Sequence, residues 1–211
     1  MTEASHSRID CAIALFARPP RLGQVKTRLA AGVGDEAALG IYRQLLEHTL
    51  LQISLSGLPF TLFAAAQSGD LIRLARHYDG AVALQRGGDL GERMAAAFSE
   101  MHQFANSVIL IGSDCPVLTS GHLLAARQLL AQSEVVLGPA EDGGYWLIGS
   151  ASSSLWRDSS VFAGVRFGGS EALSMTLRGL QRAGVSASML PKLWDLDTEQ
   201  DYQRARALGV L

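Results

Sequence analysis

The sequence predicts a three-layer α/β/α domain built on a mostly parallel, mixed sheet. Apolar runs of strand length alternate with longer segments of helical period, the signature of strand–helix–strand units with right-handed crossovers. The first run, residues 9–17 (IDCAIALFA), is apolar almost without a break, as a strand buried on both faces must be. The chain is 211 residues long, which suits one domain spanning 1–211. A domain of that size buries about 70% of its unfolded surface and needs no disulfide or metal staple.

Each element follows in turn. After the first strand, residues 35–55 read as a helix, because Ala38, Ile41, Leu45, Leu46, Thr49 and Ile53 recur at three- and four-residue steps. Residues 59–66 form a second strand and 71–77 a short helix. Residues 81–85 form a third strand, leading through RGGDLGER into a helix over 89–104, where Asp89 and Glu92 stand at capping-box spacing. The run SVILIG, residues 107–112, is the most strand-like of all. A helix over 120–131 follows, then strands at 134–138 and 145–148. The rest reads as a helix at 170–183, a strand at 186–190 and a terminal helix at 198–208. Trp146, Trp156 and Trp194 are expected in the core.

Composition narrows the function. Hydrophobic residues make up 48% and charged residues 18%, which excludes a disordered chain. A formal charge of −2 and an aromatic content of 7% speak against nucleic-acid and membrane-surface binding. The first ten residues lack the charged-then-apolar pattern of a secretory leader, and the run at 9–17 is half a bilayer span. Cys11 and Cys115 are too few for a disulfide framework, so a cytoplasmic protein with reduced thiols is expected.

In parallel sheets ligands sit beyond the carboxyl ends of the strands, so the chemistry is sought there. After the first strand comes RPPRLGQVKTR, with Arg18, Arg21, Lys26 and Arg28 and no acid between Asp10 and Asp35. Gly23 lets the backbone approach a ligand, while Lys26, Thr27 and Arg28 offer donors to phosphate oxygens. Val25 stands where an ATPase P-loop carries glycine, which excludes that class. The stretch Gly32-Val-Gly34-Asp-Glu-Ala37 imitates a dinucleotide fingerprint but follows no strand, and is set aside.

After the third strand, Gln85 and the glycine turn before Asp89 offer an amide and free N–H groups at a helix start. After the fourth, Asp114 in GSDCP puts a hard oxygen ligand at the end of a buried strand, suited to Mg²⁺ or Mn²⁺ bridging to phosphates. Glu141 and Asp142 precede an aromatic strand. In WDLDT, one of Asp195 and Asp197 is free to join the metal, while Thr198 and Asp201 form a cap.

Taken together, FARPPRLGQVKTRLA, GGDLGERM, IGSDCPVL, LGPAEDGGYWLIG and DLDTEQDY resemble a group of bacterial glycosyltransferase-like proteins. Some of that group are associated with arsenosugar biosynthesis, and it was long described as a domain of unknown function. The resemblance runs from about residue 9 to 202. It implies the Rossmann-like GT-A, or nucleotide-diphospho-sugar transferase, fold. More distantly the chain is similar to 2-phospholactate and molybdenum-cofactor guanylyltransferases. By position the resemblance implies that Arg18, Gly23, Lys26 and Arg28 hold phosphates and that Gln85 and Gly91 face the base. It further implies Asp114 on the metal, with Asp195 or Asp197 completing the coordination. Residues 165–170 (VRFGGS) stand where relatives carry Trp followed by Ser or Thr, on the acceptor side.

The expected activity is a metal-dependent transfer from a nucleotide or nucleotide-sugar donor to a small acceptor. The catalytic candidates are Asp114, Asp142 and Lys26, with Asp142 as base. Glycosyl transfer leads; nucleotidyl transfer with pyrophosphate release is the alternative.

Overall fold

Strand β1 (Ile9–Ala17) runs through the middle of the molecule and splits its side chains between two cores. Cys11, Ile13, Leu15 and Ala17 face one, and Ala12 and Ala14 the other. That period-two alternation between two buried faces makes the domain three-layered. The computed structural model describes residues 8–210. Residues 1–7, which carry most of the leader reading, and residue 211 lie outside the described residues.

The remaining elements are α1 (Thr27–Val33), α2 (Asp35–Ser56), β2 (Phe60–Ala64), α3 (Gly69–His77), β3 (Ala81–Leu84), α4 (Leu90–Met101) and β4 (Ala105–Ile111). They continue as α5 (Ser120–Leu130), β5 (Val135–Pro139), β6 (Tyr145–Ser150), α6 (Ala172–Arg182), β7 (Ala187–Met189) and α7 (Glu199–Ala207). Two single 3₁₀ turns, Ser154–Trp156 and Ser160–Phe162, precede α6. The seven-stranded sheet has the order β3-β2-β1-β4-β6-β5-β7. Only β6 runs antiparallel to its neighbours, so the sheet is mixed and mostly parallel, as expected.

Local chemistry explains the helices. On α2 the buried stripe comprises Ala38, Ile41, Tyr42, Leu45, Leu46, Thr49, Leu50 and Ile53, the predicted spacing with Tyr42 and Leu50 added. Full burial of each leucine there contributes roughly 1.5–3 kcal/mol. The helix stops at Gly57, whose φ of 67° suits a residue without Cβ. Thr119 and Thr198 make reciprocal capping boxes with His122 and Asp201. At α4 only half of the predicted box forms: Asp89 accepts from the Glu92 N–H, but the Glu92 carboxylate accepts from Gly88 instead.

Two sequence expectations are corrected. The basic loop contains a short helix, α1, which no periodicity announces because only Leu29 of its seven residues is buried. Strand and helix ends also shift by a few residues; the third strand, for example, stops at Leu84 rather than at 85. Trp146, Trp156 and Trp194 are all buried. Among the described residues Cys11 and Cys115 are free and buried, and no helix is long and apolar enough to cross a membrane.

Topology then fixes where ligands can bind. From β1 the chain builds outward through β2 to β3, then returns to place β4 on the other side of β1. The crossovers diverge between β1 and β4, and a crevice opens beyond the carboxyl ends of those strands. Because β6 is antiparallel to β4, the turn that enters β6 lies at the same rim.

Candidate active site

Two cavities meet at that rim. The first, of about 470 Å³, is lined by Arg18, Lys26, Thr27 and Arg28 after β1, Gln85 after β3, and Arg93 on α4. Asp114 and Asp197 close its other wall. The second, of about 510 Å³, holds Asp142, Asp195, Trp146 and Phe167 and shares Phe16, Arg18, Leu90, Gly112 and Asp114 with the first. Segments from residue 18 to residue 197 thus converge, and Arg28 and Asp114 line one cleft.

Lys26 is the centre of the charge pattern. Its ammonium lies 2.6 Å from Asp114 Oδ1 and 2.9 Å from Asp197 Oδ1, with its side chain only 4% exposed. Burial alone would lower its pKa, but the two carboxylates outweigh burial and leave it raised, so the lysine stays charged. Its backbone is held at φ 49°, the left-handed region that a lysine adopts at a cost of order 1 kcal/mol. That turn aims the ammonium back at Asp114 as α1 begins.

Asp195 has the opposite problem. It lines the second cavity, and no hydrogen bond among the described residues steadies its carboxylate. Burial first, and then the charge of Asp114, push its pKa up to about 7. In the unfolded chain it would lose its proton near pH 4. Between those values the fold holds the proton more tightly than the unfolded chain, so stability falls as pH rises across that window. Asp195→Asn is expected to flatten this slope. In metal-free buffer, thermal denaturation of the variant should gain on the parent steadily from pH 4 to pH 7; parallel profiles would contradict the assignment.

Backbone contacts hold the rim together. The Leu196 N–H donates to the Asp114 carbonyl, the Glu141 N–H to Leu193, and the Leu193 N–H to Pro139. The Tyr42 hydroxyl donates to the Arg18 carbonyl and accepts from its N–H, pinning the residue that both cavities share. A Cβ on Gly143 would lie 2.1 Å from the Ser170 carbonyl, and φ there is 88°, so the turn before β6 admits only glycine.

The predicted residues divide accordingly. Arg18, Lys26, Thr27, Arg28, Gln85, Asp114 and Asp197 line the first cavity, and Asp142 and Asp195 line the second. Gln85 commits one amide N–H to the Phe63 carbonyl, leaving its oxygen for a ligand. The structure does not bring Gly23 or Gly91 to the cleft wall. Gly23 has the positive φ of a turn, 70°, and Gly91 is a packing residue whose added Cβ would lie 2.7 Å from Phe162. Of the paired acids, only Asp142 reaches a cavity; Glu141 is held by both guanidinium nitrogens of Arg204 at 2.7 and 3.0 Å. The false dinucleotide fingerprint joins α1 to α2, with Gly32 packed on Glu199.

Sequence reasoning missed Tyr42 and Arg93. Arg93 lay inside the GGDLGER segment as a fifth basic candidate; Tyr42 was the one aromatic side chain, tipped with a hydroxyl, on the apolar stripe of α2.

Comparison with known proteins agrees with this architecture. A family described as "Uncharacterized protein conserved in bacteria (DUF2064)" matches residues 51–169. A provisionally assigned nucleotide-diphospho-sugar transferase from Desulfovibrio desulfuricans G20 is similar in structure, with a TM-score of 0.82 and 30% identity. That match covers 92% of this chain and 85% of the other. A 4-diphosphocytidyl-2C-methyl-D-erythritol synthase from Anaerococcus prevotii DSM 20548 shares the fold at a TM-score of 0.65 and 12% identity, over 95% of this chain and 98% of the other. So does a cytidylyltransferase from Leptospira borgpetersenii serovar Hardjo-bovis, at 0.60 and 13%, over 94% and 86%. No curated protein matches the sequence. The chain belongs to the DUF2064 family of bacterial proteins and is a transferase built on the nucleotide-diphospho-sugar transferase fold.

Proposed function

We propose that this transferase moves a glycosyl group from a nucleotide-activated sugar to the hydroxyl of a small acceptor. The observation that carries the reading is the pair of cavities joined at Arg18 and Asp114, the first cationic and the second acidic. A donor diphosphate fits the first, where Arg18, Lys26, Arg28 and Arg93 offer charge and Thr27 a hydroxyl. The free oxygen of Gln85 is available to an amino group of the base.

Mg²⁺ and Mn²⁺ are the cations proposed, and the residues fit such a group. Among the described residues no three His, Cys, Asp or Glu side chains form a metal cage. Mg²⁺ commonly rests instead on one or two carboxylates plus substrate phosphates. Asp195, a carboxylate without a donor, and Asp114 would hold the ion, while Asp197 holds Lys26. When bound, the cation would supply positive charge against the leaving diphosphate.

The chain's own residues do the rest. Lys26 and Arg28 steady charge as the bond between the sugar carbon and the diphosphate oxygen breaks. Asp142 takes the acceptor's hydroxyl proton as the new carbon–oxygen bond forms. The nucleoside diphosphate departs with the bonding electron pair. Asp142 is prepared for this by the Gly144 N–H, which donates to its Oδ1 at 2.8 Å.

The second reading is nucleotidyl transfer from a nucleoside triphosphate. The number of cations in the first cavity favours it, since a triphosphate carries more charge. Product analysis separates the two. Incubation with Mn²⁺ and a panel of sugar nucleotides should release nucleoside diphosphate, with no pyrophosphate from the matching triphosphates. Pyrophosphate release coupled to a phosphorylated acceptor would overturn the glycosyl reading.

A further inference from the structure

The second cavity has a chemistry of its own. Leu90, Phe16, Met94, Tyr145, Trp146 and Phe167 give it broad apolar walls. Its charged side chains are mostly carboxylates: Asp114, Asp142 and Asp195 accompany a single cation, Arg18, at the rim shared with the first cavity. The first cavity reverses that balance, with Arg18, Lys26, Arg28 and Arg93 against Asp114 and Asp197.

The apolar surface is not masked by polar tips. Tyr145 has its hydroxyl engaged by the buried Thr176, and Trp146 donates its indole N–H to the Pro191 carbonyl at 3.2 Å. What these two residues offer a ligand is therefore ring surface. Leu90, the first residue of α4, is 40% exposed at the mouth where the cavities join, an apolar side chain with room for a partner. A carboxylate only accepts hydrogen bonds, so with Asp114 and Asp195 given to the cation, the ligand group that meets Asp142 is a donor. A phosphate or carboxylate on the ligand would instead meet the like charge of Asp142, since Arg18 lies at the rim shared with the donor phosphates.

Resting on the glycosyl reading above, we infer that the acceptor is an uncharged, hydroxyl-bearing molecule with an apolar ring face, and that phosphorylated or carboxylated acceptors are excluded. An ammonium group would satisfy the acids equally well, but a protonated amine has no lone pair with which to attack. The hydroxyl attacks from the Asp142 side, and its proton passes to that carboxylate. The apolar face lies against Met94 and Phe167, which line the second cavity and not the first. A volume of about 510 Å³ suits a mono- or disaccharide-sized ligand with one ring substituent.

Binding can be read without any turnover. Titration of intrinsic tryptophan fluorescence, with pyrophosphate and Mg²⁺ present to fill the cationic cleft, compares three probes. These are phenyl β-D-glucopyranoside, methyl β-D-glucopyranoside and glucose 6-phosphate. The phenyl glucoside is expected to bind at least about tenfold more tightly than the methyl glucoside, and glucose 6-phosphate not to bind. Phe167→Ala, whose side chain is half-buried at the cavity wall, is expected to erase most of the phenyl advantage. Equal affinities for the two glucosides, tightest binding by glucose 6-phosphate, or an unchanged preference in Phe167→Ala would each overturn the inference. The glycosyl reading fails separately, through the identity of the released nucleotide product. Discovery of pyrophosphate release would leave the order of these affinities to be judged by itself.

Discussion

Asp114→Ala is expected to lower kcat by about a thousandfold while the protein stays folded. A single preorganised electrostatic group is worth about 10²–10³ in rate, and Asp114 serves more than one purpose. It lines both cavities, pairs with Lys26 at 2.6 Å and is proposed to hold the cation. Its side chain is 46% exposed, so little packing is lost with it. The tie from the Leu196 N–H runs to the Asp114 backbone carbonyl and survives the substitution. Donor turnover and thermal denaturation measured on the same preparation decide the matter. A variant with normal kcat removes Asp114 from the reaction, whereas a variant that fails to fold would show that its role is structural.

Lys26→Met should be the more damaging change to the molecule as a whole. Methionine retains much of the buried stem but leaves Asp114 and Asp197 facing each other without their shared cation. Removing one partner of a fully buried ion pair costs about 3–5 kcal/mol. Both carboxylates are more than two-fifths exposed, so solvent screens much of the repulsion, and a loss of about 1–3 kcal/mol is the reasonable expectation. Donor affinity should fall as well, about ten- to a hundredfold, because the diphosphate loses a charge-assisted partner.

Lys26→Gly separates two causes in that result. Glycine relieves the left-handed backbone at φ 49°, returning about 1 kcal/mol, yet removes the charge just as methionine does. Denaturant midpoints should nevertheless fall further for glycine than for methionine, because the lost burial of the stem, about 0.8 kcal/mol per methylene, exceeds the strain relieved, while donor affinities fall together. Equal donor affinity in the parent and both variants would show that the ammonium serves only the two aspartates and never reaches the phosphates. Lys26→Arg would not rescue either property, since a planar fork does not fit where one nitrogen now bridges two single carboxylate oxygens.

Much of the active-site rim could be read along the chain because parallel sheets place ligands after strands, and strands buried on both faces announce themselves. Arg18, Lys26, Arg28 and Asp114 each follow such a run, Gln85 follows the exposed edge strand β3, and all line one cleft. Gly23 and Gly91 were harder to judge. A glycine can serve a ligand, a turn or close packing, and the choice depends on what lies opposite; for Gly91 that is Phe162, 71 positions along the chain. Glu141 and Asp142 look equivalent as neighbours, but the turn between β5 and β6 sends one to Arg204 on α7 and the other into the second cavity.

The sequence by itself determined the layered α/β class, the order of most elements, the capping pair of α7, and the basic character of the loop after β1. Those properties are local: they depend on hydrophobic period, on side chains bonding backbone a few residues away, and on charge composition. Only the tertiary structure decided that Lys26 meets Asp114 and Asp197, that Asp195 has no hydrogen-bond partner among the described residues, that Tyr42 pins Arg18, and that the cleft divides into a cationic and an acidic half. Each of these depends on how helices and strands far apart in the chain pack, and the energy of a charge is set by its surroundings in space rather than by its neighbours in sequence.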